Sequence, residues 1–310
     1  MTTALLLVIL TLQIFIIFYL VRTARNLGSK STKHHKELME NVNMLRFSSR
    51  GNILNHLAVP NTQEFRNVSW DHVISLTSHP ARFATLDVAL DQLLNQHLLP
   101  KKIYLNIAHS DLAELPSKIK ELESGGVVKI NACSDLGPGK KLIPTLKLEE
   151  NLPVIVVDDD LFFETDLTMK LMVQHHLSPK NVVASRVHKI SRKADGSIAP
   201  YSEWLKNYSL SNGPASDLFP TSGAGTLYKK EFFHPDVMDE ESYKNLSLYT
   251  DDLWWYVHSK RAGVTAKRMA GYSKLEFIDG TQENGLWNNG NQDRNNPNLK
   301  ALMNKYSLSI

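Results

Sequence analysis

Pro153-Val154-Ile155-Val156-Val157-Asp158-Asp159-Asp160 is the stretch that decides how this chain folds. An apolar run of this length, ended by acids, reads as a buried strand whose carboxyl end opens into a cleft. In open α/β sheets that edge is where ligands bind. Adjacent carboxylates there repel one another unless a cation or several donors neutralise them. A hard divalent ion such as Mg²⁺ or Mn²⁺ does so, and it commonly brings a phosphate.

The surroundings fit a strand in such a sheet. His72 to Leu76 reads as a first strand, and Leu86 to Leu99 has helical apolar spacing and ends before Pro100. Lys102–Ile107 and Gly126–Ile130 read as strands, with a helix from Leu115 to Leu122 between them. A helix over Ile143–Glu150 precedes the acid-tipped strand, and Val182–Val187 follows as another strand. Strand–helix repetition of this kind predicts a mostly parallel sheet with helices on both faces. The Asn-rich tail from Asn284 to Asn298 is too polar for a core element and reads as a surface loop or lid.

Composition narrows the class. With 310 residues, 42% hydrophobic and 22% charged, the chain has enough apolar material for a proper core. A net charge of +3 without a basic tract in the body does not indicate a nucleic-acid partner. Cys133 is the sole cysteine, so no intrachain disulfide can form.

The amino terminus reads differently. Ala4 to Val21 is apolar except for Thr11 and Gln13, and as a helix it would rise about 27 Å, near the roughly 30 Å of bilayer hydrocarbon. Residues 1–22 are therefore expected to be a transmembrane anchor, 23–69 a basic stalk and 70–310 the globular domain. Arg22, Arg25, Lys30, Lys33 and Lys36 follow the anchor and no Lys or Arg precedes it. The positive-inside rule then puts the domain on the cytoplasmic face, as at a bacterial inner membrane. A lumenal type II placement is the alternative, and only there would the sequons at Asn67, Asn207 and Asn245 matter.

Four further segments carry polar groups suited to a phosphate or a sugar. Thr77-Ser78-His79-Pro80-Ala81-Arg82 follows the first strand, where hydroxyls and an arginine can grip a nucleotide, or simply form a turn. Gly137-Pro138-Gly139-Lys140-Lys141 allows close backbone approach and offers two point charges, without the spacing of a Walker A loop. Thr221 to Tyr228, with Gly223 and Gly225, lets backbone pass close to a bulky substrate or makes a tight strand entry. Asp251-Asp252-Leu253-Trp254-Trp255 sets a possible general base beside rings on which sugars stack, or a helix cap followed by core aromatics.

Taken in order from Val73 to Gly271, these segments resemble the GT-A fold glycosyltransferases, specifically bacterial family-two-like enzymes of surface-polysaccharide synthesis. The layout is also similar to exostosin-type transferases. The resemblance implies a GT-A, Rossmann-like mixed sheet and a nucleotide-diphosphate sugar donor. It also implies Mn²⁺ or Mg²⁺ held by Asp160 with Asp158, and Asp159 assisting. Thr77, Ser78, Arg82, Lys140, Lys141, Asp158 and Asp159 would meet the donor, and Asp252, or else Asp251, would act as base. Gly223, Gly225, Trp254 and Trp287 would meet a glycan or lipid-linked acceptor. The Gln-x-x-Arg-Trp element of processive synthases is missing. Two other readings remain: a sugar-phosphate nucleotidyltransferase, and a non-catalytic membrane-tethered binding module.

Overall fold

The computed structural model describes residues 69–270, 275–282 and 292–309. The expected anchor, most of the stalk, the sequon at Asn67 and Trp287 lie outside them. Among the described residues no helix is long and apolar enough to cross a membrane. One unit runs from Ser69 to Ile310.

Its first half alternates as the apolar pattern predicts: β1 (Val73–Thr77), α1 (Leu86–Leu94), β2 (Lys102–Ala108), α2 (Ser117–Ser124), β3 (Val128–Cys133), α3 (Ile143–Leu148) and β4 (Val154–Val156). The second half holds α4 (Leu167–Leu177), β5 (Val182–Ala184), β6 (Val187–Lys189), β7 (Leu218–Pro220), β8 (Thr226–Tyr228), α5 (Glu240–Leu246), α6 (Asp251–Arg261), β9 (Ala266–Arg268) and α7 (Gln292–Lys305). Seven strands form one sheet in the order β3-β2-β1-β4-β8-β5-β9, while β6 and β7 pair separately.

The main sheet is mixed and mostly parallel. Pairs β1–β2, β2–β3, β1–β4 and β5–β9 are parallel, and β8 runs antiparallel between β4 and β5. The order reverses at β1: the chain steps outward to β2 and β3, then returns to β4 on the other side. A crevice opens beyond the carboxyl ends of two strands at such a switch point. Because β8 runs backward, its entry segment, Thr221–Gly225, lies at that same edge.

Burial explains why these strands are short and nearly all apolar. Val73, Ile74 and Leu76 of β1 and Val154, Ile155 and Val156 of β4 are inaccessible to solvent, as central parallel strands require. In α1, Leu86, Ala89, Leu90 and Leu93 form the buried stripe. That helix stops at Leu94 rather than Leu99 because tertiary bonds capture the chain that follows. The His97 N–H donates to Thr165 O (2.7 Å), and the Gln96 side chain donates to Glu164 O and accepts from Thr168 N.

Two other expectations are corrected. The strand expected over Val182–Val187 divides: Ser185 makes the last bond to the β8 side, its N–H to Gly225 O and its hydroxyl to Ala224 O, and from Val187 the chain pairs with β7 instead. The chain leaves the main sheet there and re-forms as β6. The tail from Asn284 to Asn298 is not all loop, since α7 begins at Gln292 and buries Leu299 and Leu302. Asn298 Nδ2 donates to Thr250 Oγ1 (2.9 Å), at the start of α6.

Candidate functional site

β4 leaves the sheet into Asp158-Asp159-Asp160, and the three carboxylates go three ways. Asp158 stays partly open, with 34% of its side chain exposed, and accepts from Lys141 Nζ at 2.5 Å. Asp159 and Asp160 turn inward, and one arginine serves both. Arg82 Nη1 lies 2.7 Å from Asp159 Oδ1 and 2.9 Å from Asp160 Oδ2. Arg82 comes from the β1 exit, beside β4 across the switch point. Gln282 Nε2 adds a bond to Asp160 Oδ2 (3.1 Å). Burial and then the Asp158 charge still raise the Asp160 carboxyl to about 6.

The close approach of β8's entry explains Gly223. Asp158 N donates to Gly223 O (2.9 Å). A Cβ at position 223 would sit 1.7 Å from Asp158 Oδ2, so no side chain fits there with the carboxylate in place.

A second acidic group faces the triplet. Asp251 and Asp252 occupy the first turn of α6, where the helix dipole favours negative charge. Asp251 Oδ2 lies 3.1 Å from Lys141 Nζ, so this buried lysine joins the triplet to the helix. Burial alone would pull the Lys141 amine down, but Asp158, Asp251 and Asp252 together hold it well above its ordinary value. Its backbone is fixed from beneath: Ser75 Oγ donates to Lys141 O (2.6 Å) and bonds Thr145 Oγ1, and Asn106 Nδ2 donates to both hydroxyls. Gly139 makes room for this arrangement, since a Cβ there would meet the Tyr243 ring at 2.5 Å.

Asp252 is held differently. Ser222 N–H and Ser222 Oγ both donate to its Oδ1, at 2.9 and 2.6 Å. Among the described residues its Oδ2 has no protein donor. Burial, and then the neighbouring Asp251 charge, raise this carboxyl to about 7. A carboxylate with one anchored oxygen and one spare, titrating near neutrality, is suited to taking a proton.

Mg²⁺ or Mn²⁺ can be tested against these residues. Among the described residues five carboxylates, Asp158–Asp160, Asp251 and Asp252, meet only two Lys or Arg side chains, Lys141 and Arg82. The upward shifts at Asp160 and Asp252 reflect burial and this excess of negative charge, which a cation would relieve. Among the described residues no three acidic, histidine or cysteine groups converge as a ready ligand set. Asp158 and Asp160 fit instead as one or two carboxylates that leave the rest of the shell to phosphate oxygens and water.

Other expected site residues are placed elsewhere. Lys140 pairs with Asp135 rather than with the triplet. Thr77 Oγ1 donates to Asn106 O (2.6 Å), so β2 holds that hydroxyl, while Ser78 is buried and its Oγ has no partner among the described residues. Trp254 does not meet an acceptor. It is fully buried, and its Nε1 donates to Val237 O (2.9 Å), because the middle of α6, Leu253–Val257, is packed on every side. Gly225 is also internal, with φ of 105° and its face against Leu167. Cys133 is only partly buried, and burial raises its thiol to about 11.

Ser222, Gln282 and His79 were not singled out from sequence. Ser222 lies in the small-residue stretch, but nothing local marks it as the partner of a residue thirty positions away. His79 is half-buried next to Asp159, and burial lowers its imidazole.

No family model matches the chain, and no curated protein does. Among solved structures it is similar to S. aureus TarS 1-349, at 15% identity and a TM-score of 0.43, over 66% of this chain and 59% of that one. The complex of TarS 1-349 with UDP gives 14% identity, the same TM-score and the same coverage. The chain thus spans less than two thirds of that neighbour, and a likeness this distant carries no argument.

Proposed function

We propose that residues 70–310 are a glycosyltransferase that moves a sugar from a nucleotide-diphosphate sugar to a hydroxyl of a glycan or lipid-linked acceptor. One observation carries the reading: two acidic groups of different character face each other across the switch-point crevice, bridged by Lys141. The partly open one, Asp158–Asp160, suits the donor's diphosphate, with Asp158 and Asp160 as the residues that would hold Mn²⁺ or Mg²⁺. When bound, such an ion supplies positive charge to the leaving diphosphate. The ordered likeness to GT-A glycosyltransferases supports the same assignment.

The chain's own residues divide the remaining work. Arg82 keeps Asp159 and Asp160 in place and adds charge near the phosphates. Ser222 aims Asp252, whose spare oxygen takes the acceptor proton as the new glycosidic bond forms, in an inverting displacement. Ser78, with its buried unpartnered hydroxyl in the loop after β1, is a donor-side contact. The apolar run from Ala4 to Val21 keeps the domain at the membrane, close to a lipid-linked acceptor.

The test is release of UDP, GDP or CMP from a panel of UDP-, GDP- and CMP-sugars, with Mn²⁺ and with EDTA. Transfer that stops in EDTA and returns with Mn²⁺ supports the reading, whereas undiminished transfer in EDTA removes the role given to the triplet. Release of pyrophosphate from a nucleoside triphosphate and a sugar phosphate would favour the nucleotidyltransferase instead.

A further inference from the structure

We infer that Arg186 and Lys206 form an anion subsite on the acceptor side of the cleft, suited to an acceptor that carries a phosphate or carboxylate near the reacting hydroxyl. The inference rests on the proposed transfer only in naming the ligand as acceptor. The two cations and their position stand independently of it.

The sheet puts Arg186 there. β5 ends at Ala184 beside the start of β8, so Ser185 and Arg186 leave the sheet along Thr221–Gly225. Thr221 N donates to Arg186 O (3.1 Å), and Arg186 Nη1 donates to Thr221 Oγ1 (3.0 Å). The next residue, Ser222, holds Asp252. The guanidinium is therefore anchored one residue from the group that aims the proposed base.

Lys206 approaches from the excursion between β6 and β7. Its side chain is exposed overall, yet its amine lies 3.1 Å from the Tyr201 ring centroid and donates to Tyr201 O (2.7 Å). The Trp204 ring is 5.8 Å away. The charges of Arg186 and Asp252 both reach the Tyr201 phenol, so these groups border one region. Partial burial against the rings, and then the Arg186 charge, hold the Lys206 amine down to about 8.

Charge matching distinguishes this pair from the other cations of the cleft. Arg82 meets Asp159 and Asp160, Lys141 meets Asp158 and Asp251, and Lys140 meets Asp135. Among the described residues neither Arg186 nor Lys206 has a carboxylate partner. Two neighbouring cations without counter-charge repel each other, and a ligand oxyanion between them would relieve the repulsion. The fork of Arg186 can bind a phosphate or carboxylate through two parallel N–H bonds, and Lys206 adds a point charge. The donor's diphosphate is assigned to the triplet, so this anion belongs to the other substrate.

Calorimetric titration of the full chain tests the subsite directly. The probes are glycerol 3-phosphate against glycerol, and glucuronate against glucose, at about 50 and about 300 mM salt. At least one charged probe should bind about tenfold or more tighter than its neutral counterpart at low salt, with the preference shrinking at high salt. The stronger of the two identifies the anion. The preference should disappear in the R186Q/K206Q double variant, while Mn²⁺–UDP affinity stays within about twofold of the parent. Equal binding of charged and neutral probes, or a preference that survives in the double variant, overturns the subsite. A parallel fall in UDP affinity also overturns it, because the cations would then serve the donor. Failure of the parent chain to bind any nucleotide would count against glycosyl transfer, and the anion preference would still be read independently.

Discussion

Two runs of aspartate face each other in this molecule, and their surroundings make them chemically unlike. Asp158-Asp159-Asp160 ends a buried strand and is met by an arginine and a lysine from other loops. Asp251-Asp252 begins a helix, where Lys141 takes the first acid and a serine takes the second. The first run can gather further positive charge around a partly open Asp158. The second keeps Asp252 titratable near neutrality, with one oxygen spare. Under the proposed transfer the same side chain would serve anchoring on one side and proton transfer on the other, and the difference arises from what each strand end and helix start brings alongside.

The sharpest way to break that contrast is Asp252→Asn. The amide cannot accept the acceptor proton, so kcat should fall about 10²–10⁴-fold while Mn²⁺–UDP affinity stays near the parent value. A comparable loss of UDP affinity would merge the two acid groups into one. The pH dependence follows in sign. Between the ordinary value near 3.8 and about 7, the folded protein holds a proton on Asp252 that the unfolded chain has lost. This residue's contribution to stability is therefore full below pH 4 and lost as pH rises through 7. Asp252→Asn should flatten the fall in melting temperature across that window, leaving the part due to Asp160, whose carboxyl sits at about 6. Transfer in the parent should rise with pH through about 7, as the base ionises.

Lys141→Met separates the two runs instead of disabling one. It leaves the buried Asp251 and the partly open Asp158 without their shared cation, which costs on the order of 3 kcal/mol, chiefly at Asp251, visible as a lower midpoint in urea. Removing that charge should also move the Asp252 titration further upward, since Lys141 holds it down. An unchanged pH profile would show that the bridge is structural only.

Gly223→Ala perturbs only the triplet side. The new methyl meets the Asp158 carboxylate, so donor affinity should drop about tenfold with the fold retained. Trp254→Phe should matter least for function. It loses a buried hydrogen bond to Val237 O and some packing, about 1–2 kcal/mol of stability, and leaves kcat and both substrate affinities unaltered. A rise in acceptor KM would restore the stacking role that burial argues against.

These contrasts also show what the sequence discloses. The acid-tipped strand is legible because five apolar residues before three aspartates leave little else for them to be, and Arg82 is legible because β1 must neighbour such a strand. The pairing of Asp158 with Gly223, and of Ser222 with Asp252, depends on β8 entering the sheet backward. A three-residue strand carries no periodicity that would reveal its direction. Trp254 misleads for a related reason: aromatics that follow two acids suggest a sugar platform, but a helix whose middle is buried on every side has no face to offer. Lys140 and Lys141 look equivalent as neighbours, and only the turn they occupy points one at Asp135 and the other between the two acidic runs.

The double clasp between Arg186 and Thr221 has a consequence for how this scaffold could diversify. Those two residues are the gateposts of an excursion of more than thirty positions, and they are joined to each other whatever the chain does beyond them. A different excursion between the gateposts would have to keep the contacts of Ser216 and Phe219 with Tyr256, which tie it to the helix that carries Asp252. If the proposed subsite holds, variation within that excursion would act on docking through Lys206 alone, because Arg186 stays clasped to Thr221 at its edge.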